Sequence, residues 1–286
     1  VEKVASNRRI LGPDGKVKHV RSTATKDPKV RAFPEGTIDP VMRLVSFWNG
    51  DRPLAVLSYY ATHPQSYYRT GKISADFPGM ARDQREATEG TGLHIHFNGA
   101  GGNIGAGKYN DGSPENRPIL AGRMADGMRE AWENTQKTPV ADLAFDWATL
   151  DLTLPLADWY DEGECFATLR NKKLPIRDRV KAARELSWAQ RSINAHVITV
   201  SRLRLGPIDI LHAPGELFVE YQLAAQKMRP DSFVCMAAYG DYGTGYIGTA
   251  VAYTQGGYET GTGSRASLVS PRSEQILLSA FQKLMQ

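Results

Sequence analysis

The sequence has little cysteine and no long apolar run, and both scarcities exclude broad classes of protein. Its two cysteines, Cys165 and Cys235, are too few for a disulfide scaffold or for a zinc ribbon built from CxxC pairs. No apolar stretch approaches the roughly 18 residues that a membrane-spanning helix needs. We therefore expect no stable membrane insertion.

The sequence also has no large excess of positive or negative charge. The chain has 35 Lys and Arg against 31 Asp and Glu, for a formal net charge of +4. Its densest basic runs, residues 16–26 and 170–184, are interleaved with acids or have helical composition, which is typical of solvated faces. We therefore expect no nucleic-acid partner.

Several common catalytic and nucleotide-binding motifs are missing. The sequence contains no G-x-S-x-G nucleophile elbow and no HExxH. Residues 243–248 match GxGxxG, but the sequence predicts no clear helix after them and has no acid about twenty residues further on. The glycine-rich residues 98–107 lack the Gly-Lys-Ser/Thr ending of a phosphate loop. Neither a serine hydrolase nor a nucleotide-binding protein is favoured.

The patterns that are present predict an α/β fold. Hairpins and strand–helix alternation occur together, so we expect a single domain with mixed β-sheets packed against helices. Asn49 and Gly50 separate two β-rich runs and predict a hairpin whose second strand is central and buried. Residues 1–40 are rich in turn formers and predict an ordered excursion that is not a core element.

The organising stretch is the end of that second strand, where His63 directly precedes Pro64. An imidazole released from a strand into a turn is a candidate metal ligand or general base, and the alternative is a structural histidine. Two later stretches are candidates to meet it, HAPGE ending at Glu216 and YGDYGTGYIG around Tyr246. Glu216 alone has two interpretations: an acid favoured by a helix dipole, or a carboxylate held at a strand-to-helix junction. We predict that the three stretches form most of one metal site.

A second group of histidines lies on a short predicted strand. His94 and His96 form a His-x-His pair, and the two-residue period of a strand puts both on one face. That arrangement suits a metal, but it is also what a strand with a polar face looks like. Both interpretations stay open.

Four segments, taken in order, resemble the neutral and alkaline, non-lysosomal ceramidases. The first is similar to a metal-histidine segment of that family, the second to the loop holding its Asn-x-Gly-Asp/Asn-x-Ser-Pro motif, and the third to its Pro-Gly-Glu-Phe segment. The fourth keeps the spacing between a metal-ligand tyrosine and a second active-site tyrosine followed by Glu. The segments are ATHPQS to ISADFPGMAR (61–82), NGAGGNIGAG (98–107), HAPGELF (212–218) and the stretch from Tyr246 to Tyr258 and Glu259.

The resemblance implies a Zn²⁺ site made by two histidines, one glutamate and one tyrosine. His63, Glu216 and Tyr246 match three of these ligands, and the family's other histidine lies in an upstream His-x-His segment. We therefore expect residues 1–286 to be a ceramidase-like catalytic domain that is N-terminally incomplete and has no C-terminal immunoglobulin-like domain. His94 and His96 are the only internal substitutes, and we do not assign them to the gap.

The resemblance and the hypothesis of a metal site give roles to three further positions, and one position departs from the family pattern. Tyr258 matches the second active-site tyrosine and is a candidate hydrogen-bond donor to the developing oxyanion. Asp76 and Asn103 are candidates to orient the ligands or the loop backbone. Gly105 stands where the family's motif has serine, which is the main departure from the pattern.

The activity implied is that of a zinc-dependent hydrolase of C–N amide bonds. It would cleave the N-acyl amide of ceramide or a related N-acyl lipid by metal-activated water, in a secreted or periplasmic protein. Because of Gly105, two alternatives stay open: a hydrolase of the same fold with another small amide or ester substrate, and a catalytically inactive homologue.

Overall fold

The computed structural model describes residues 1–88, 90–142, 144–240 and 243–286. Within them the chain forms strands β1 (Ser6–Asn7), β2 (Arg9–Leu11), β3 (Val17–Val20), β4 (Arg43–Asn49), β5 (Arg52–Tyr60), β6 (Leu93–Asn98), β7 (Ile104–Gly105), β8 (Phe145–Leu152), β9 (Ile198–Leu205), β10 (Ile208–Pro214), β11 (Glu216–Leu217), β12 (Phe233–Gly240) and β13 (Tyr246–Ile247). The helices are α1 (Pro28–Ala32), α2 (Asp76–Glu86), α3 (Asn116–Glu133), α4 (Glu162–Arg170), α5 (Ile176–Ile193), α6 (Val219–Met228), α7 (Ala250–Gln255) and α8 (Ser273–Leu284).

Two mixed sheets form the centre of the molecule. The three-stranded sheet has the order β4-β5-β6, with β4 and β5 antiparallel and β5 and β6 parallel. The four-stranded sheet has the order β12-β10-β9-β8, with a parallel pair between β10 and β12 and antiparallel pairs elsewhere. The prediction of an α/β fold with mixed sheets packed against helices is confirmed.

The hairpin around Asn49 and Gly50 is present as predicted. β4 and β5 pair from Arg43 with Tyr59 to Asn49 with Arg52, and Gly50 adopts a φ of +57° in the turn, which glycine reaches without a Cβ penalty. β5 lies between β4 and β6, so its expected central position is confirmed, but the strand is buried mainly in its second half. This hairpin brings the chain to His63.

Three apolar clusters hold these layers together. One packs the four-stranded sheet against α5, α6 and α8, and a second packs the end of β5 against α2 and α3. The third joins the two sheets through Val45, Tyr59, Ile210, Cys235 and Ala237. None of the helices that the structure describes has the length and apolar character needed to span a lipid bilayer.

The N-terminal segment contributes to the core, so the prediction that residues 1–40 lie outside it was wrong. Val4 and Ala5 are buried at 0% and 2% exposure in the second cluster. Arg21 is fully buried, and its guanidinium donates to the backbone carbonyls of Asn7, Val30, Phe33 and Pro34. A turn-rich composition predicts irregular backbone. Here the buried guanidinium of Arg21 supplies the hydrogen bonds that several carbonyl groups of this backbone need.

Two local predictions were also wrong. The helix-dipole interpretation of Glu216 placed that residue in the first turn of a helix, but Glu216 and Leu217 form β11 and the helix begins at Val219. No helix was predicted after the GxGxxG match, yet α7 follows it. Four residues of predicted elements or loops lie outside the described residues: Glu89, Leu143, Asp241 and Tyr242.

A buried carboxylate in β10 leads to a stability prediction. Asp209 is 0% exposed and lies 2.8 Å from Arg204, 3.9 Å from Arg202 and 4.0 Å from Arg229. Breaking a buried ion pair by removing one partner costs about 3–5 kcal/mol, so Asp209→Asn should lower the free energy of unfolding in urea by that order. Asp126→Asn is the control, because Asp126 pairs with Arg129 at 3.6 Å on the protein surface with both side chains exposed, and its loss should cost less than about 1 kcal/mol. Equal losses in the two variants would contradict this difference.

Candidate metal centre

His63 is held by the glycine-rich loop that follows β6. Its ring Nδ1 lies 2.7 Å from the carbonyl oxygen of Gly101 and 2.9 Å from that of Ile104. Carbonyl oxygens only accept hydrogen bonds, so Nδ1 carries the hydrogen and Nε2 presents a lone pair. Histidines that bind metals commonly have this arrangement, with the second ring nitrogen donating to a carbonyl.

Glu216 and Tyr246 meet His63 because two very short strands pair. β11 and β13 are parallel, with Glu216 opposite Tyr246. Glu216 Oε2 lies 2.9 Å from His63 Nε2, and Tyr246 Oη lies 3.4 Å from the same nitrogen. The structure thus brings together the three residues that the sequence proposed as ligands.

The contact between His63 and Glu216 has a chemical consequence. With Nδ1 bonded to carbonyls, Nε2 is an acceptor, and an ionised carboxylate is an acceptor too. Two acceptors 2.9 Å apart require a proton or a metal cation between them. A metal cation held by His63 and Glu216 together would satisfy both acceptors.

The three side chains fit zinc in donor type and spacing. Imidazole nitrogen and carboxylate oxygen are common zinc ligands, and tetrahedral bonds of about 2.0–2.1 Å place ligand atoms about 3.3 Å apart. The separations of 2.9 and 3.4 Å around His63 Nε2 are of that order. The described residues contain no group of three or more His, Cys, Asp and Glu suited to a metal. The site around His63 has only two such residues, and its third candidate donor is the phenol of Tyr246.

Arg8 is the site residue that the sequence did not reveal. Its Nη1 donates to Tyr246 Oη at 3.2 Å, and its Nε lies 3.4 Å from the fully buried Glu259. Its guanidinium also lies 5.8 Å and 5.7 Å from the ring centroids of Tyr246 and Tyr258. Burial alone lowers the pKa of Arg8, but the attraction of Glu259 and Tyr246 more than offsets this and raises it. A permanent cation therefore faces the Tyr246 oxygen.

Tyr258 lies at the edge of the site. Its ring packs edge-on against that of Tyr246 with centroids 5.8 Å apart, and 49% of the residue is exposed. Burial raises the pKa of Tyr258, while Arg8 lowers it in part, and the net direction is upward. The phenol is therefore a hydrogen-bond donor at neutral pH, on the open side of the site.

Asp76 organises the turn that follows His63. Its carboxylate accepts hydrogen bonds from the backbone N–H groups of Ser66 and Tyr67 at 2.7 and 2.9 Å, and from the Ser66 hydroxyl. Asp76 itself has a φ of +55°, a conformation that is uncommon for a residue with a side chain. It thus holds the backbone just beyond His63, and its predicted role in orienting the ligands stays a prediction.

Asn103 links the glycine-rich loop to the segment after Glu216. Its side chain donates to Glu220 at 2.9 Å and accepts from the backbone N–H of Val219 at 2.9 Å. The backbone carbonyl oxygen of Asn103 accepts a hydrogen bond from the backbone N–H of Arg8 at 2.8 Å. Asn103 therefore positions the start of α6 and Arg8, and its predicted role toward the loop backbone stays a prediction.

His94 and His96 face α2. The backbone N–H of His94 donates to Glu86 at 2.8 Å, and His96 Nδ1 lies 2.9 Å from the Ser58 hydroxyl. Burial, assisted by Arg82, lowers the pKa of His96 to about 4. Within the described residues neither histidine joins His63 and Glu216 in a group suited to a metal.

The glycine-rich loop gives a second stability prediction. A Cβ at Gly102 would stand 2.2 Å from the carbonyl oxygen of Glu216, whereas a Cβ at Gly105 would meet nothing closer than 3.6 Å. Gly102→Ala must push β11 away from the loop, and such overpacking typically costs about 1–3 kcal/mol. We expect that loss in urea unfolding for Gly102→Ala and less than about 1 kcal/mol for Gly105→Ser. A Gly102→Ala protein as stable as the Gly105→Ser protein would contradict the close approach.

In comparisons with known proteins, the chain matches solved structures. No protein-family model and no curated protein sequence matches the chain. Among solved structures, a ceramidase complexed with C2 superposes with a TM-score of 0.65 and 15% identity, over 99% of this chain and 51% of that one. The neutral ceramidase from Pseudomonas aeruginosa gives a TM-score of 0.59 and 16% identity, over 98% of this chain and 51% of that one.

These matches confirm, at the level of the fold, the resemblance that the four sequence segments indicated. The identity is low, so the likeness concerns the path of the backbone, and the chain spans about half the length of the ceramidases it matches. The chain therefore has a ceramidase-like fold over nearly all of its own length.

Proposed function

We propose that this chain carries most of the metal site of a zinc-dependent amidohydrolase, which cleaves the N-acyl amide of ceramide or a related N-acyl lipid. The observation that carries the proposal is the convergence of His63, Glu216 and Tyr246 around one point. Glu216 Oε2 and Tyr246 Oη lie 2.9 and 3.4 Å from His63 Nε2, although the three residues come from distant segments of the chain. The ceramidase-like fold supports the substrate class.

In this proposal His63 Nε2, Glu216 Oε2 and Tyr246 Oη hold the zinc. Bound zinc supplies Lewis-acid chemistry, which lowers the pKa of a water to about 7 and polarises a carbonyl. Burial raises the pKa of Tyr246, and Arg8 opposes that rise in part by donating a hydrogen bond to the phenol oxygen.

Tyr258 stabilises the reacting amide. Its protonated phenol stands beside Tyr246 and is partly open to solvent, where a bound acyl group would approach the metal. A donor placed for the developing oxyanion typically contributes about 3 kcal/mol to lowering the barrier. Glu259, the next residue, is fully buried and bonded by Arg8 and Arg9, which fixes the backbone that carries Tyr258.

A second candidate function is a hydrolase of the same site acting on another amide or on an ester. The observation that favours it is Gly105, whose missing side chain leaves space beside Arg8 and Thr23. A serine hydroxyl there would offer a polar contact to substrate that this chain does not make. Comparing hydrolysis of N-acyl sphingosines with that of N-acyl amino acids and aryl esters distinguishes the two candidates.

The proposal is tested by fatty-acid release from a short-chain N-acyl sphingosine in detergent micelles, using the intact protein. We expect release that a zinc chelator abolishes and that added zinc restores, with a His63→Ala protein inactive throughout. Hydrolysis that continues unchanged in chelator, or in the His63→Ala protein, would contradict it. A folded, zinc-loaded protein that leaves every substrate intact would identify a catalytically inactive homologue.

A further inference from the structure

The end of the helical pair α4 and α5 is the most basic part of the chain. Residues 170–184 contain seven Lys and Arg and a single Asp, in a protein whose whole formal net charge is +4. The connection between the helices is exposed at every position from 171 to 175. We call residues 170–180 the α4–α5 tip.

The α4–α5 tip also exposes apolar side chains among these cations. Leu174, Ile176 and Val180 are 37%, 69% and 50% exposed. Ile176 and Val180 are four residues apart at the start of α5, so they lie on the same side of the helix. A solvated basic face, as the sequence was interpreted, gives no reason for such exposure.

Exposed apolar residues that alternate with Lys and Arg are typical of segments that lie in a membrane interface. The apolar side chains enter the headgroup boundary, while Lys and Arg keep their charges at its surface. Each basic residue near an anionic leaflet contributes roughly 1 kcal/mol, and four or more together indicate recognition of anionic lipid. A nucleic acid would satisfy the cations but would offer nothing to Ile176 and Val180.

We propose that the α4–α5 tip docks this protein on the surface of an anionic lipid bilayer. The inference rests on the proposed function, because a lipid amide substrate resides in a bilayer. Docking is peripheral, with Leu174, Ile176 and Val180 in the interface and the surrounding cations on the headgroups.

The tip is connected to the segment that carries Tyr258. Lys181, which directly follows the tip in α5, donates from Nζ to the carbonyl oxygen of Ser264 at 2.7 Å, and the Ser264 hydroxyl donates to the carbonyl oxygen of Tyr258. Arg265 of the same segment pairs with Glu164 in α4. Docking at the tip would therefore hold the open edge of the candidate site close to the lipid that contains the substrate.

Sedimentation with sucrose-loaded vesicles tests the docking. The vesicles are phosphatidylcholine with or without about 30 mol% phosphatidylglycerol, at about 0.1 M salt, where the Debye length is about 10 Å. We expect binding to the anionic vesicles and weak binding to phosphatidylcholine alone. Lys172→Glu/Lys173→Glu should weaken partitioning by more than about tenfold, and Ile176→Ser by about fivefold or more.

Two control variants match the tip variants in their change of charge and in the exposure of the altered side chains. Lys227→Glu/Lys283→Glu reverses two exposed lysines on α6 and α8, and Ile193→Ser removes an isoleucine that is also 69% exposed, at the other end of α5. Both controls should bind like the unaltered protein. Tip variants that bind as well as their controls, or a protein that binds nucleic acid but not anionic vesicles, would overturn the proposal.

Failure of the docking can be told apart from failure of the proposed function. In detergent micelles, which carry no anionic bilayer, the tip variants should hydrolyse the short-chain N-acyl sphingosine at the unaltered rate. Vesicle binding without any hydrolysis would contradict the amidohydrolase proposal alone. Hydrolysis without tip-dependent vesicle binding would contradict the docking alone.

Discussion

Glu216→Gln is expected to remove zinc and hydrolysis together. The substitution preserves the shape of the side chain but removes the negative charge that faces His63 Nε2 at 2.9 Å. Loss of a residue that merely supports a ligand typically costs 10–100-fold in metal affinity or activity, so loss of a ligand should exceed about 100-fold. Titration of the apoprotein with zinc, followed by fatty-acid release from the same samples, measures both effects.

The control for this change is Glu274→Gln. Glu274 Oε2 accepts a hydrogen bond from the backbone N–H of Ala250 at 2.7 Å, and glutamine can retain that bond. Zinc affinity and turnover should therefore stay within about twofold of the unaltered protein. A Glu216→Gln protein that still binds zinc as tightly as this control would show that Glu216 is not a ligand.

Tyr258→Phe is expected to keep the metal and lose the rate. The phenol packs against Tyr246 at its ring edge, so removing the hydroxyl leaves the packing intact and deletes only a donor. Loss of one oxyanion donor typically lowers kcat by about 10²–10³-fold. Steady-state hydrolysis should show that fall in kcat with zinc content unchanged.

The matched control is Tyr253→Phe. The Tyr253 hydroxyl forms a hydrogen bond with the Ser267 hydroxyl at 2.8 Å. Tyr253→Phe therefore also removes one phenol hydroxyl, but at a position other than Tyr258. We expect a stability cost of about 1 kcal/mol and unchanged kcat. Unchanged turnover in Tyr258→Phe would refute the oxyanion role and leave Tyr258 as a packing residue.

The sequence predicted the elements whose signals are local. The Asn49–Gly50 turn and the central β5 strand follow from turn chemistry and periodicity, which neighbouring residues determine. The meeting of His63, Glu216 and Tyr246 was also predicted, because each stands at a Pro- or Gly-marked end of a strand-like run. Strand ends and glycine turns are where a fold releases side chains toward a site.

Features that depend on distant pairing were missed. Arg8 reaches Tyr246 because Ser6 pairs with Gly105 in a two-residue ladder, and no periodicity marks so short a strand. The strand character of Glu216 likewise comes from its partner Tyr246. The burial of Arg21 depends on carbonyls that the turns present only after they fold.

Zinc content, measured by elemental analysis of the purified protein beside its His63→Ala variant, tests the central claim most directly. The ligand set of His63, Glu216 and Tyr246 predicts about one zinc per chain in the unaltered protein. It also predicts that this zinc is lost in the variant, because the lone pair of Nε2 has no substitute there. No zinc in either protein, or an equal amount in both, would contradict the claim and leave the three residues as structural contacts within a ceramidase-like fold.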